Sequence, residues 1–108
     1  PKIKATPASA YLYAGQNRPK TVDVELGKTS VKGADIVGVD FAKGTSEAVK
    51  KAYRIEFDEE KQVMTLKLVN PSALVLNKKQ TITFETKCKN QMENSTGTTF
   101  KVDVTVKK

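Results

Sequence analysis

Between Ala52 and Val69 the chain reads AYRIEFDEEKQVMTLKLV, with apolar and charged residues alternating on either side of a short acidic stretch. A period of two is the signature of a strand with one buried face. Tyr53, Ile55 and Phe57 fall on one face and Arg54, Glu56 and Asp58 on the other; on the return, Met64, Leu66 and Leu68 alternate with Thr65 and Lys67. Two adjacent strands must bury their apolar sets on the same side, and placing Ile55 opposite Met64 and Tyr53 opposite Leu66 achieves this. That register leaves Asp58-Glu59-Glu60-Lys61 as a four-residue loop. A two-residue loop of Glu59-Glu60 would demand positive φ twice, which glutamate resists.

The segments on either side read as further strands. Lys2 to Thr6 is a short strand with Ile3 and Ala5 on one side, interrupted at Pro7 because proline cannot donate to a ladder. Ala10 to Ala14 resumes the run, so the first strand is predicted to be an edge strand that passes from one sheet to another. Lys20 to Leu26 points Val22, Val24 and Leu26 inward, and Gly27 to Gly33 is a connection. In Ala34 to Phe41, Val37, Val39 and Phe41 share a face with Gly38 on the other, and a glycine there marks a bulge or a close backbone approach. Lys43 to Lys51 is the one place for a helical turn, with Ser46 as its cap and Glu47 in its first turn. Asn70-Pro71 stops the central hairpin, Leu74 and Leu76 tuck under the end of the domain, and Asn77-Lys78-Lys79 turns again.

Gln80 to Lys89 directs Ile82, Phe84, Thr86 and Cys88 inward, Asn90 to Gly97 is a polar loop, and Thr98 to Lys107 directs Phe100, Val102, Val104 and Val106 inward. In this last hairpin, charge helps to choose the register. Lys87 opposite Lys101 together with Glu85 opposite Asp103 would place like charges across from one another, at a cost of a few tenths to about 1 kcal/mol each. Glu85 opposite Lys101 is therefore expected, with Lys87 opposite Asp103 as the alternative.

About seven strands, the first split at Pro7, with no long helix, make an all-β antiparallel sandwich occupying residues 1–108 as one domain. Twelve valines and twelve threonines favour that class. No apolar run reaches the length of a membrane span. With neither an initiating methionine nor a signal peptide, the chain is expected to be a module excised from a longer multidomain protein.

The close of the chain, LVLNKKQTITFETKCKN, a loop, then TTFKVDVTVKK, resembles the final two strands of the disulfide-free immunoglobulin-like modules strung along bacterial cell-surface and secreted proteins. The resemblance spans the chain in strand order and rhythm. It departs from antibody-type domains in having no tryptophan in the third strand, no cysteine partner in the second and no tyrosine at the start of the sixth. It implies an extracellular or cell-surface location, neighbouring domains of the same chain as partners, and a structural, spacer or adhesion-type role.

Candidate chemistry is sparse. Without histidine, neither a Ser-His nor a Cys-His pair can form, so an enzyme is not expected, and no cofactor is implied. Cys88 lies in phase with Ile82 and Phe84 and reads as a buried, inert thiol. Asp58-Glu59-Glu60 lacks the spacing of a calcium loop and reads as solvated, with a calcium site between tandem modules as the functional alternative. Asn94-Ser95-Thr96 matches a glycosylation sequon. An isopeptide cross-link is disfavoured because Asn70, Asn77 and Asn90 all fall in turns.

Lysines are the remaining feature of a chain with a formal charge of +7. Lys87, Lys89, Lys101 and Lys107 take outward positions on the last two strands and form a candidate contact surface for cell-wall or other acidic polysaccharide. The plainer account is a solvated face whose lysines guard against strand addition. Nucleic acid is not expected, since the outward faces carry almost no aromatic residues for stacking. A carbohydrate platform would have to use Tyr11, Tyr13 or Tyr53, of which Tyr53 points inward. The expected function is a non-catalytic spacer or interaction module, with a carbohydrate- or polyanion-binding module as the competing class.

Overall fold

The computed structural model describes residues 3–26, 36–88 (Cys88 by its backbone alone) and 99–108. In chain order these form β1 (Ala5–Thr6), β2 (Ser9–Tyr13), β3 (Thr21–Leu26), β4 (Ile36–Phe41), α1 (Glu47–Ala52), β5 (Tyr53–Asp58), β6 (Val63–Leu68), a 3₁₀ turn at Pro71–Ala73, β7 (Lys79–Cys88) and β8 (Thr99–Lys107). Two four-stranded sheets pack face to face as an all-β sandwich, one in the order β1-β3-β6-β5 and the other β2-β8-β7-β4. The core is the set of inward positions of both: Val24, Met64, Leu66 and Leu68 from the first sheet, and Leu12, Ile82, Phe84, Val102 and Val104 from the second.

The split of the first strand is as the proline predicts. β1 lies on β3 in one sheet, the Thr6–Pro7 peptide is cis, and β2 lies on β8 in the other. The chain changes sheets at Pro7 without reversing, so β2 and β8 run parallel, a departure from the antiparallel sandwich expected, while every other pairing among the described residues is antiparallel. The helical turn also forms where expected: Ser46 Oγ accepts from the Val49 N–H at 3.3 Å, and Glu47 sits in the first turn.

Four further expectations are corrected. In the central hairpin, Ile55 faces Leu66, Phe57 faces Met64 and Tyr53 faces Leu68, two residues from the expected register, with the apolar faces still matched. The loop is Glu59 to Gln62, one residue later, because Gln62 adopts a φ of +56° and is tied down there. The Asp58 carboxylate also accepts from the Lys61 N–H at 3.0 Å, closing the turn.

In the last hairpin, Phe84 faces Phe100, Ile82 faces Val102, Thr83 faces Lys101 and Glu85 faces Thr99. Neither charge-matched register is adopted. The deciding interaction is a ladder of three rings, Phe41, Phe84 and Phe100, stacked at 5.8 and 5.1 Å between centroids. A buried aromatic pair contributes about 0.5–1.5 kcal/mol beyond its burial, whereas an exposed charge pair contributes about 0.2–1 kcal/mol. The register also avoids like charges, and Asp103, facing Thr81, accepts its hydroxyl at 2.6 Å.

In β4, Val37 points outward and Ile36 is buried, the reverse of the expected phase. The register slips between Ile36 and Gly38, and this bulge turns Val37 out while Val39 and Phe41 remain against the core. Leu76 is exposed, leaving Leu74 alone to pack beneath the end of the sandwich. The connection at 27–33, the loop at 90–97 with its sequon, and the side chain of Cys88 lie outside the described residues.

Candidate functional site

The outward face of the second sheet carries the lysines singled out from sequence, and the strand register fixes their places. Lys101 faces Thr83 and Lys87 faces Gly38, so along β7 they stand four residues apart, about 13 Å. Lys107 lies beyond the row of Thr105 and Lys79, which places it on the order of 30 Å from Lys87. Between them stand acids: Glu85 faces Asp40 across β4, and Asp103 separates Lys101 from the Lys107 end. Lys89 lies outside the described residues. The lysines are thus strung along the sheet with carboxylates interposed, and of the described ones only Lys107 belongs to a denser basic group.

That group forms where β2, the end of β8 and the start of β7 meet. Leu12 is buried, so its neighbours Tyr11 and Tyr13 must point outward, beside Thr105 and Lys107 respectively. Thr105 in turn faces Lys79, so Tyr11, Thr105 and Lys79 form one row across three strands. The Lys107 ammonium lies 4.5 Å from the centre of the Tyr11 ring, and the Arg18 guanidinium 4.2 Å from that of Tyr13. Each ring face attracts its cation electrostatically and fixes where that charge is presented. Lys20 points back into the turn, where its ammonium donates to the carbonyls of Tyr13 and Gly15. Arg18 and Lys79 were not among the residues expected from sequence. The alternation around Leu12 reveals that the tyrosines face out, but the parallel β2–β8 pairing that brings them to Lys107 has no local signal.

The first sheet presents the opposite character. Asp23, Glu25, Asp58, Thr65 and Lys61 border an open groove beside Pro7, and the Asp23 carboxylate accepts the Thr65 hydroxyl at 2.7 Å. Among the described residues, no group of three or more histidine, cysteine or acidic side chains is arranged to hold a metal ion. A second open cleft, about 470 Å³, lies between the 42–46 turn, Val49 and β7, and is lined by Lys43, Thr45, Ser46, Gln80, Thr81 and Thr83. It gathers hydroxyls, with Lys43 the one ionisable side chain among its described lining residues. No described helix is long and apolar enough to cross a membrane.

Among the described residues, the one strongly perturbed ionisable group is Tyr53. Its residue is buried, its hydroxyl has no hydrogen-bond partner among the described residues, and burial pushes its pKa up to about 12. It points into the core, away from both clefts' linings. No protein-family model matches the chain, and no curated protein is similar to it in sequence.

Proposed function

We propose that the chain is an immunoglobulin-like module that acts as a non-catalytic spacer or interaction unit in a surface-attached or secreted bacterial protein. The strand order supports the fold family: β3, β6 and β5 correspond to strands B, E and D, and β4, β7 and β8 to C, F and G. β1 and β2 are then the two halves of a first strand shared between the sheets. The role rests on one observation, the placement of the chain's entry and exit. β1 starts beside Leu26 at one end of the sandwich, and β8 finishes beside Tyr13 at the other, along a body 42 Å in its longest dimension. A unit entered at one end and left at the other extends a string of neighbours and presents its loops and faces for contact.

Two copies joined in tandem test this. The expected result is a particle close to twice the length of one copy by small-angle scattering, each copy melting as the single domain does. A folded-back tandem would overturn the spacer role. Antibody labelling of intact against permeabilised source cells tests the location, and staining only after permeabilisation would overturn it.

A further inference from the structure

We propose that the junction of β2, β8 and the start of β7 is a binding site for an acidic polysaccharide, with Tyr11 as the sugar platform and Lys107, Arg18 and Lys79 as contacts for its carboxylates. This goes beyond the module reading and stands or falls independently of it. Tyr11 is 60% exposed although it is flanked by residues of a well-packed sheet. A phenol ring held on a strand, with Lys107 over one face and the residue still largely open, is the type of surface that receives the apolar face of a sugar while the cation meets its carboxylate.

The charges around it have no carboxylate partner. The segments 9–22, 70–84 and 104–108 contain no aspartate or glutamate, so the charged side chains of the strands and turns that build this corner are all cations. Among the described residues the one ion pair is Lys50 with Glu47, and Arg18, Lys79 and Lys107 have no carboxylate partner. Asp103, the next outward residue down β8 after Thr105, is engaged by Thr81 and marks the border. Lone cations next to an exposed ring therefore await an anion that also carries an apolar face.

A sugar acid meets both requirements. A nucleic-acid strand is favoured less, because successive bases need successive open rings, and here each of the two rings has a cation over one face, Arg18 on Tyr13 and Lys107 on Tyr11. The exposure of Tyr11 on an outer sheet face also suits a polymer laid across it rather than a small molecule enclosed by it.

The test compares binding of an oligogalacturonate, a neutral maltodextrin of equal length, an oligoglutamate and a single-stranded oligonucleotide at low and physiological salt. The oligogalacturonate is expected to bind best and the maltodextrin not at all. Tyr11→Ala weakens the uronate roughly tenfold, as loss of a stacking ring does, and Tyr11→Phe retains it. Replacing Arg18 and Lys107 together by glutamine lowers both affinity and its salt dependence. Lys87→Gln with Lys101→Gln, farther down the sheet, leaves binding unchanged. All these side chains are exposed or partly so, and melting curves confirm that each variant folds. The proposal is overturned if the uronate does not bind, if Tyr11→Ala binds as tightly as the parent, if the oligoglutamate or oligonucleotide binds better, or if the Lys87/Lys101 variant is the one that loses binding.

Discussion

Gln62 holds Ile36 by both of its backbone groups. The amide Oε1 accepts from the Ile36 N–H at 2.9 Å, and Nε2 donates to the Ile36 carbonyl at 2.8 Å and to that of Glu59 at 2.7 Å. The Gln62 carbonyl meanwhile accepts from Leu26 at 3.0 Å, so one residue in the β5–β6 turn ties β3 of the first sheet to the start of β4 in the second. Its φ of +56° lies in the left-handed region, a conformation held by those bonds.

Gln62→Ala is therefore expected to destabilise by about 1–3 kcal/mol, since it strips the partners from the Ile36 backbone and keeps the positive φ. Gln62→Glu, which retains the acceptor but sets a carboxylate oxygen against two carbonyls, should be no more stable than alanine in a urea titration at neutral pH. Equal midpoints for all three would show that the clasp contributes nothing.

Tyr53 gives a pH signature. The neutral phenol is favoured in the fold, with its pKa raised from 10.0 to about 12 by burial. Below pH 10 the hydroxyl is neutral whether the chain is folded or not. Above it the unfolded chain ionises first, so stability is lost between about pH 10 and 12, by about 3 kcal/mol in all. The measurement is the difference between parent and Tyr53→Phe, which isolates this group. At neutral pH the variant should match the parent or exceed it by up to about 1 kcal/mol, because it deletes an unpartnered buried hydroxyl. Loss of more than that at pH 7 would mean the hydroxyl is satisfied.

The Phe84–Phe100 stack makes a prediction about coupling. A double-mutant cycle to leucine at these two positions should show about 0.5–1.5 kcal/mol of interaction energy. The same cycle for Glu85 with Lys101 should show less, since these residues are diagonal neighbours that face Thr99 and Thr83. Coupling in the charged pair stronger than that of the rings would restore the register that charge alone favours.

Burial ranks the central hairpin. Leu66→Ala, at a fully buried position, should lose about 2–5 kcal/mol. Ile55 faces it from the edge strand β5 and is only half-buried, so Ile55→Ala should cost less, and Thr65→Ala on the outer face least. A denaturant series that places Thr65 above Leu66 would reverse the faces.

What the sequence by itself determined is the set of properties that depend on near neighbours. Alternation assigns an inward face to residues such as Leu66, Phe84 and Val104, because a one-residue slip would turn the whole strand over at the expense of its entire buried surface. Pro7 ends a ladder wherever it stands, and Ser46 caps a helix from three residues away. What only the tertiary structure decided is which two-residue step each hairpin takes, since steps of two keep every face intact and are separated by small energies. Those were settled by residues distant in sequence: Phe41 and Phe100 around Phe84, and the clasp of Gln62 on Ile36. The corner of Tyr11, Lys79 and Lys107 has the same origin. It exists because the chain changes sheets at Pro7 and lays β2 parallel to β8, a pairing formed at the far end of the chain that no local pattern encodes.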